Sequence, residues 1–304
     1  MEEKTMNEIP EVETMRSVLQ RDLVGRRVKL ATVTVGKLVK PHKSAKEFRT
    51  AIEGHAIKEA QRLGRNLVFL LDNGHRLVLN AGSGQILMAA TAKVTKPKFT
   101  QLVISFDKAG ELRVVDPKGD ARAFVAKAPA EGEGAEVSKF ARLSVGGDGL
   151  ALRKAINELA DVGIDAIEDQ IGWDRFAAVM RSRTTPLVEV LTDERIFAGL
   201  GDLYADEILF SAGLHPNRSA EGLTTIEIRR LHRSFLEIVA DAIKHEGTSF
   251  EDVPWTDPYG KKGSYQNFVQ VFKREGLPCF QCRAPIKRVT SKTHDTFFCE
   301  KCQA

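Results

Sequence analysis

The chain holds four cysteines, arranged as two Cys-x-x-Cys pairs, Cys279 with Cys282 and Cys299 with Cys302, sixteen residues apart. Four thiolates on two such turns match the tetrahedral set that zinc takes, and the intervening length suits a β-hairpin that folds one pair onto the other. All four positions would be filled by protein, so the expected ion is one structural Zn2+ with no place for a reactive water. Two disulfides are the alternative, disfavoured in a reducing compartment. A redox role is disfavoured as well, since the pairs lack a βαβ setting.

A second stretch has phosphate chemistry in its pattern. Thr185-Pro186-Leu187-Val188 opens a short apolar helix, and Gly199 and Gly201 punctuate a turn. Asp202 then stands where a cap would open a second helix through Phe210. Glycines allow close backbone approach to a ligand. Free N–H groups and the helix dipole at such a start favour an anion. An ordinary helical hairpin has the same pattern.

These groups need elements to hold them. Residues 27–35, 66–71, 75–79 and 102–106 are short apolar or β-branched runs, and Asp72-Asn73-Gly74 is a hairpin turn. A helix from about Pro10 to Leu23 precedes them, with Val12, Met15, Val18 and Leu19 on one face. The N-terminal part is expected to be a β-sandwich with a leading helix. Residues 126–136, rich in Ala, Gly and Glu, mark a linker. Helical patterns follow over 152–162, 173–181 and 225–245. The expected domains are therefore 1–126, a linker over 127–142, a helical domain over 143–253 and a zinc ribbon over 254–304.

The chain of 304 residues has a net charge of +4, but residues 254–304 carry nine Lys and Arg against four Asp and Glu. A basic terminal module suits phosphate. No apolar run reaches the roughly 18 residues of a membrane span, and Met1-Glu2-Glu3-Lys4 lacks a signal peptide's regions. A cytoplasmic monomer is expected.

Asn7-Glu8-Ile9-Pro10-Glu11-Val12-Glu13-Thr14, the Gly199–Phe210 stretch and the terminal ribbon occur in one order that resembles the formamidopyrimidine-DNA glycosylase and endonuclease VIII family. The resemblance covers nearly the whole chain, with a helix-two-turn-helix over 186–216 and a zinc finger from Asn267 to Gln303. It implies duplex DNA, damaged at one base, lying in a cleft between the halves. It also implies excision of an oxidised base and strand cleavage through an N-terminal proline amine. Glu8 matches the glutamate that follows that proline, but Asn7 stands in the proline's place behind Met1–Met6. If translation began at Met6, the amine at that place would be primary. Arg65 takes the position of a lysine that assists elimination, and Gly82 that of an intercalating methionine. Arg122 matches a wedge arginine beside Ala123, and Val188 replaces a phosphate-binding lysine. Asp202 replaces an asparagine that donates to phosphate. Arg274 keeps a basic position before the cysteines, and His294 replaces an arginine that reaches phosphate. Glu11 is expected to cap the leading helix.

Two functions follow. The first is a DNA glycosylase of base-excision repair with Glu8 in catalysis and lyase activity weak or absent. The second is a homologue that recognises damaged or distorted DNA without cutting it.

Overall fold

The structure is a computed structural model that describes residues 7–108, 110–128, 134–139, 142, 148–291 and 295–304. Two four-stranded antiparallel sheets form the N-terminal part. One runs in the order β1 (Val28–Val33), β6 (Thr100–Phe106), β7 (Glu111–Val115), β5 (Gln85–Ala89). The other runs β2 (Ile57–Leu63), β3 (Asn66–Leu71), β4 (Arg76–Asn80), β8 (Arg122–Ala126). The expected β-sandwich is therefore present. The β3–β4 turn forms at Asp72-Asn73-Gly74, where Gly74 takes φ +79° and Asn73 Oδ1 accepts the His75 N–H at 3.0 Å.

The unbroken apolar run of β3 reflects burial on both faces of its sheet. Leu67, Phe69 and Leu71 face the sandwich core with Leu77, Leu79 and Val125. Val68, with Val78 and Phe124, faces the other way onto Leu152, Ile156 and Leu159. Alternation with period two thus places α3 (Gly149–Ala155) and the turn after it over the outer face of the sheet.

α1 (Ile9–Leu23) has Pro10 at its start and buries Ile9, Val12, Met15, Leu19 and Leu23. It lies between β2 and α7 (Thr225–Lys244). α7 opens on a capping box between Thr224 and Glu227. Against it pack α4 (Trp173–Arg181) and α6 (Asp202–Ala212), α5 (Leu187–Thr192) packs on α6, and Phe176, Phe197 and Phe235 are in mutual ring contact. A fully buried ion pair from Arg62 at the end of β2 to Asp165 joins sandwich and helices, and Asp165 also accepts the Gly64 N–H at 2.7 Å.

The C-terminal hairpin, β9 (Lys287–Thr290) with β10 (Asp295–Phe298), rests on α6. Glu207 accepts N–H bonds from Gln270, Val271 and Phe272 at 2.8, 2.9 and 2.9 Å. Asp206 accepts the Phe297 N–H at 2.7 Å. These two buried carboxylates tie the ribbon to the same helix whose first turn reaches the site below. A short helix, α2 (Ala45–Ile52), capped by Ser44, completes the elements.

Candidate active site

Three chain segments meet at the start of α1. Asn7 is 5% exposed, and its side chain is fully engaged: Nδ2 donates to the carbonyls of Gly82 and Gly84 at 2.8 and 2.9 Å. Its Oδ1 accepts the indole N–H of Trp255 at 3.2 Å. The side chain thus pins the turn between β4 and β5 to the segment that follows α7. The bonds to Gly84 and Trp255 are buried and that to Gly82 partly so, and losing a buried one would leave a polar atom without a partner.

Glu8 is the N-cap residue of α1, yet its carboxylate makes no capping bond there. It turns instead to α6, where Oε2 accepts the Gly201 N–H at 2.5 Å. Arg65 lies beside it, donating to the Leu200 carbonyl at 3.0 Å and paired with Glu194 at 2.8 Å. The approach is close enough to require glycine: a Cβ on Gly201 would sit 2.6 Å from Glu8 Oε1 and 3.2 Å from Arg65 Nη2. Gly199, at φ +77°, is equally confined by Ile9 and Gly64. Gly201→Ala is therefore expected to push Glu8 aside and cut the turnover of any reaction it serves by roughly a hundredfold, as misplaced catalytic groups do. Single-turnover rates at saturating protein would measure this; an unchanged rate would mean that the Glu8 position does not matter.

Burial sets the proton affinity of this carboxylate. Desolvation pushes Glu8 up to about 7, against the opposing pull of the Arg65 guanidinium and the Gly201 N–H, while the Asp202 charge adds to the rise. Glu8 is thus about half ionised near neutral pH, where a group can both take and give a proton. Glu11, one turn on, is also buried and is pushed up to about 8, first by desolvation and then by the Glu8 charge.

Two expectations are corrected here. Glu11 does not cap α1. Its Oε1 accepts the Tyr204 hydroxyl at 2.7 Å and the Thr248 N–H at 2.7 Å, which ties α1 to α6 and to the end of α7. Asp202 is not the cap residue either: Gly201 is the N-cap residue of α6, and Asp202 is the first helical residue. Its negative charge suits the positive end of the helix dipole instead.

Glu8, Arg65 and Asp202 are thus gathered around Gly201, with Asn7 next to Glu8 in the chain but turned to Gly82, Gly84 and Trp255, while the remaining site residues stand apart. Arg122 is exposed at the start of β8, opposite Asn80, whose Oδ1 accepts the Gly82 N–H at 2.9 Å. At Gly82 a Cβ would meet Asp120 at 2.4 Å, so no side chain can project there while Asp120 holds the Ser83 N–H and hydroxyl. Val188 and Ala123 are buried in the core. Arg274 stacks on Phe280, its guanidinium carbon 3.5 Å from the ring centroid, and donates to the Pro278 carbonyl. His294 lies outside the described residues. Tyr204, Thr248, Trp255 and Glu194 are the groups that sequence reasoning missed; each acts on a residue far away in the chain, and nothing local marks it.

The four cysteine sulfurs converge, all within 4.8 Å of one another, with Cys282 and Cys299 3.3 Å apart and Cys279 and Cys302 3.9 Å apart. Sulfurs held about 2.3 Å from a tetrahedral ion are about 3.8 Å apart, so the set is close enough to hold a metal ion. None of the four is in a disulfide. Among the described residues no helix is long and apolar enough to cross a membrane.

Comparison with known proteins places this geometry. Residues 6–123 match the formamidopyrimidine-DNA glycosylase N-terminal domain, and residues 162–253 match the formamidopyrimidine-DNA glycosylase H2TH domain. The formamidopyrimidine-DNA glycosylase of Herpetosiphon aurantiacus is 33% identical over 302 residues, covering 98% of this chain and 100% of that protein. The crystal structure of the MutM (Fpg) protein from Thermus thermophilus superposes with a TM-score of 0.80 at 28% identity, over 97% of this chain and 98% of that one. Lactococcus lactis Fpg, crystallised in complex with an abasic site containing DNA, superposes with a TM-score of 0.79 at 25% identity, over 98% and 99%. By sequence and by fold, the chain belongs to the formamidopyrimidine-DNA glycosylase family.

Proposed function

We propose that this protein is a DNA-repair glycosylase: it binds damaged duplex DNA and releases an oxidised base of the formamidopyrimidine type, with Glu8 as the acid–base group and without a terminal-amine lyase step. The observation that carries the reading is the Glu8 carboxylate, 3% exposed, held at the start of α6 beside Arg65 and pushed up to about 7. A relic that only bound DNA would have no use for a buried carboxylate poised at neutral pH, so the binding-only alternative is disfavoured.

Asn7 carries no pyrrolidine ring and so cannot supply the secondary amine of the family's proline. Its side chain is engaged three ways. The route open to this site is hydrolysis. Ionised Glu8 stabilises the positive charge that develops at C1′ as the glycosidic bond breaks and its electron pair leaves with the base. Water then forms the new C1′–O bond and gives its proton to Glu8, while the departing base is protonated from solvent. Arg65 keeps the charge of the family's lysine as a planar guanidinium fork, which suits anchoring rather than elimination.

Arg122, Arg274 and the start of α6 at Asp202 are assigned to the DNA-facing surface. Cys279, Cys282, Cys299 and Cys302 are assigned to one structural Zn2+, which supplies folding energy to the ribbon when bound. The working units in this reading are the sandwich domain 1–126, the linker 127–142, the helical domain 143–253 and the ribbon 254–304, in a monomer acting in the cytoplasm. The test is chromatographic detection of free base after incubation with a duplex carrying one formamidopyrimidine lesion. Base release above the rate without protein is expected; tight binding of that duplex with no base released would leave only the DNA-binding function.

A further inference from the structure

A second surface lies well away from the site. Along the first half of α7, Ile226, Arg229, Arg230 and Arg233 are exposed at spacings of three, four and seven, which puts them on one face. Ile226 is 73% exposed. Trp173, at the start of α4 and 39% exposed, lies under the Arg229 guanidinium, whose carbon is 4.6 Å from the ring centroid. Arg181, at the other end of α4, donates to the Thr225 hydroxyl at 3.0 Å, which brings its charge next to Ile226.

The neighbouring acids do not cancel this charge. Glu227 is taken up by Arg218 and by the helix cap. Glu237 lies 3.7 Å from Arg233, both in solvent, and Asp174 sits in the first turn of α4. Fifteen residues of α7 separate Arg229 from Lys244, about 22 Å of helix, and just past that end Gly247 lies close to Glu11.

We propose that this face docks an acidic peptide segment of a partner protein, with a hydrophobic side chain of that segment covering Ile226 and Trp173. Charge complementarity selects the class of partner. Arginine forks match carboxylates bidentately, and arginine and tryptophan are the residues that dominate protein interfaces. The exposed isoleucine and tryptophan go beyond what phosphate charges alone would use, and suit an apolar side chain of a peptide.

The test is fluorescence anisotropy of a labelled eight-residue peptide of Asp and Glu ending in Phe, titrated with the full-length protein at low salt. Saturable binding is expected, weakened at least tenfold by the double substitution Arg229→Glu with Arg230→Glu. A severalfold weakening is expected from Ile226→Asp, and from a peptide ending in Ser. All these positions are exposed, so the variants should melt as the parent does and bind lesion duplex unchanged. Absence of saturable binding would overturn the proposal, as would equal binding by the variants. An equal loss of duplex affinity in the arginine variant would assign the face to DNA instead, and self-association that the variant abolishes would assign it to a second copy.

Discussion

Glu8→Gln is expected to lower base release by roughly a hundred- to ten-thousandfold while leaving duplex binding intact. The amide keeps the size of the side chain, and its Oε1 can still accept the Gly201 N–H, so the start of α6 keeps its shape. What is lost is the proton acceptor. The parent's pH profile should carry the same signature. With Glu8 pushed up to about 7, base release should rise with pH through that value, and at pH 6 should be about a tenth of its plateau. The direction of two neighbouring effects follows from charge. Arg65 lowers the proton affinity of Glu8 and Asp202 raises it. Arg65→Gln should therefore move the limb to higher pH and Asp202→Asn to lower pH. A limb that stays in place in both variants, or persists in Glu8→Gln, would remove Glu8 from the chemistry.

The same shift has a stability consequence. A carboxyl whose folded value lies above its unfolded value favours the folded state while protonated, below about pH 4.5, and that contribution fades as pH rises through about 7. The melting temperature of the parent should thus fall more between pH 5 and pH 8 than that of Glu8→Gln.

Removal of metal by a strong chelator is expected to abolish duplex binding and unfold residues 268–304 while the sandwich stays folded. The ribbon's core is small, formed by Val271, Cys279, Ile286, Phe297 and Cys299 together with Phe210 of α6. A structural zinc contributes roughly 10 kcal/mol or more to such modules. Loss of the ribbon would also strip Glu207 of its three N–H partners and Asp206 of one, leaving buried carboxylates unmatched in α6. The disturbance would therefore pass along α6 to Gly201 and Glu8. Metal analysis, anisotropy with lesion duplex and hydrogen exchange check this together. Full affinity with zinc loss confirmed would contradict it.

Local signals carried much of the fold. Asp72-Asn73-Gly74 marked its hairpin, Pro10 the start of α1, and two Cys-x-x-Cys pairs the ribbon. The helix over Trp173–Arg181 follows its apolar spacing. What escaped was set by distant partners. β2, Ile-Lys-Glu-Ala-Gln-Arg-Leu, reads as polar, but Arg62 is fully buried because Asp165 and Glu13 neutralise it from elsewhere in the chain. Glu11 looks like a helix-start carboxylate until Tyr204 and Thr248 are brought to it from 193 and 237 residues away. Asn7 is marked by sequence only as the wrong residue for a nucleophile. That it is a three-way anchor depends on Trp255, and no periodicity reports a single indole hydrogen bond.

The most direct test of the central claim is borohydride trapping on a duplex with one abasic site, using protein whose N-terminus has been read by mass spectrometry, beside a parallel assay for free base. Base release without a covalent cross-link is the predicted result, since Glu8 acts and no amine reaches C1′. A cross-link mapped to the residue at position 7, or to the terminus of a chain beginning there, would contradict it and restore the amine mechanism.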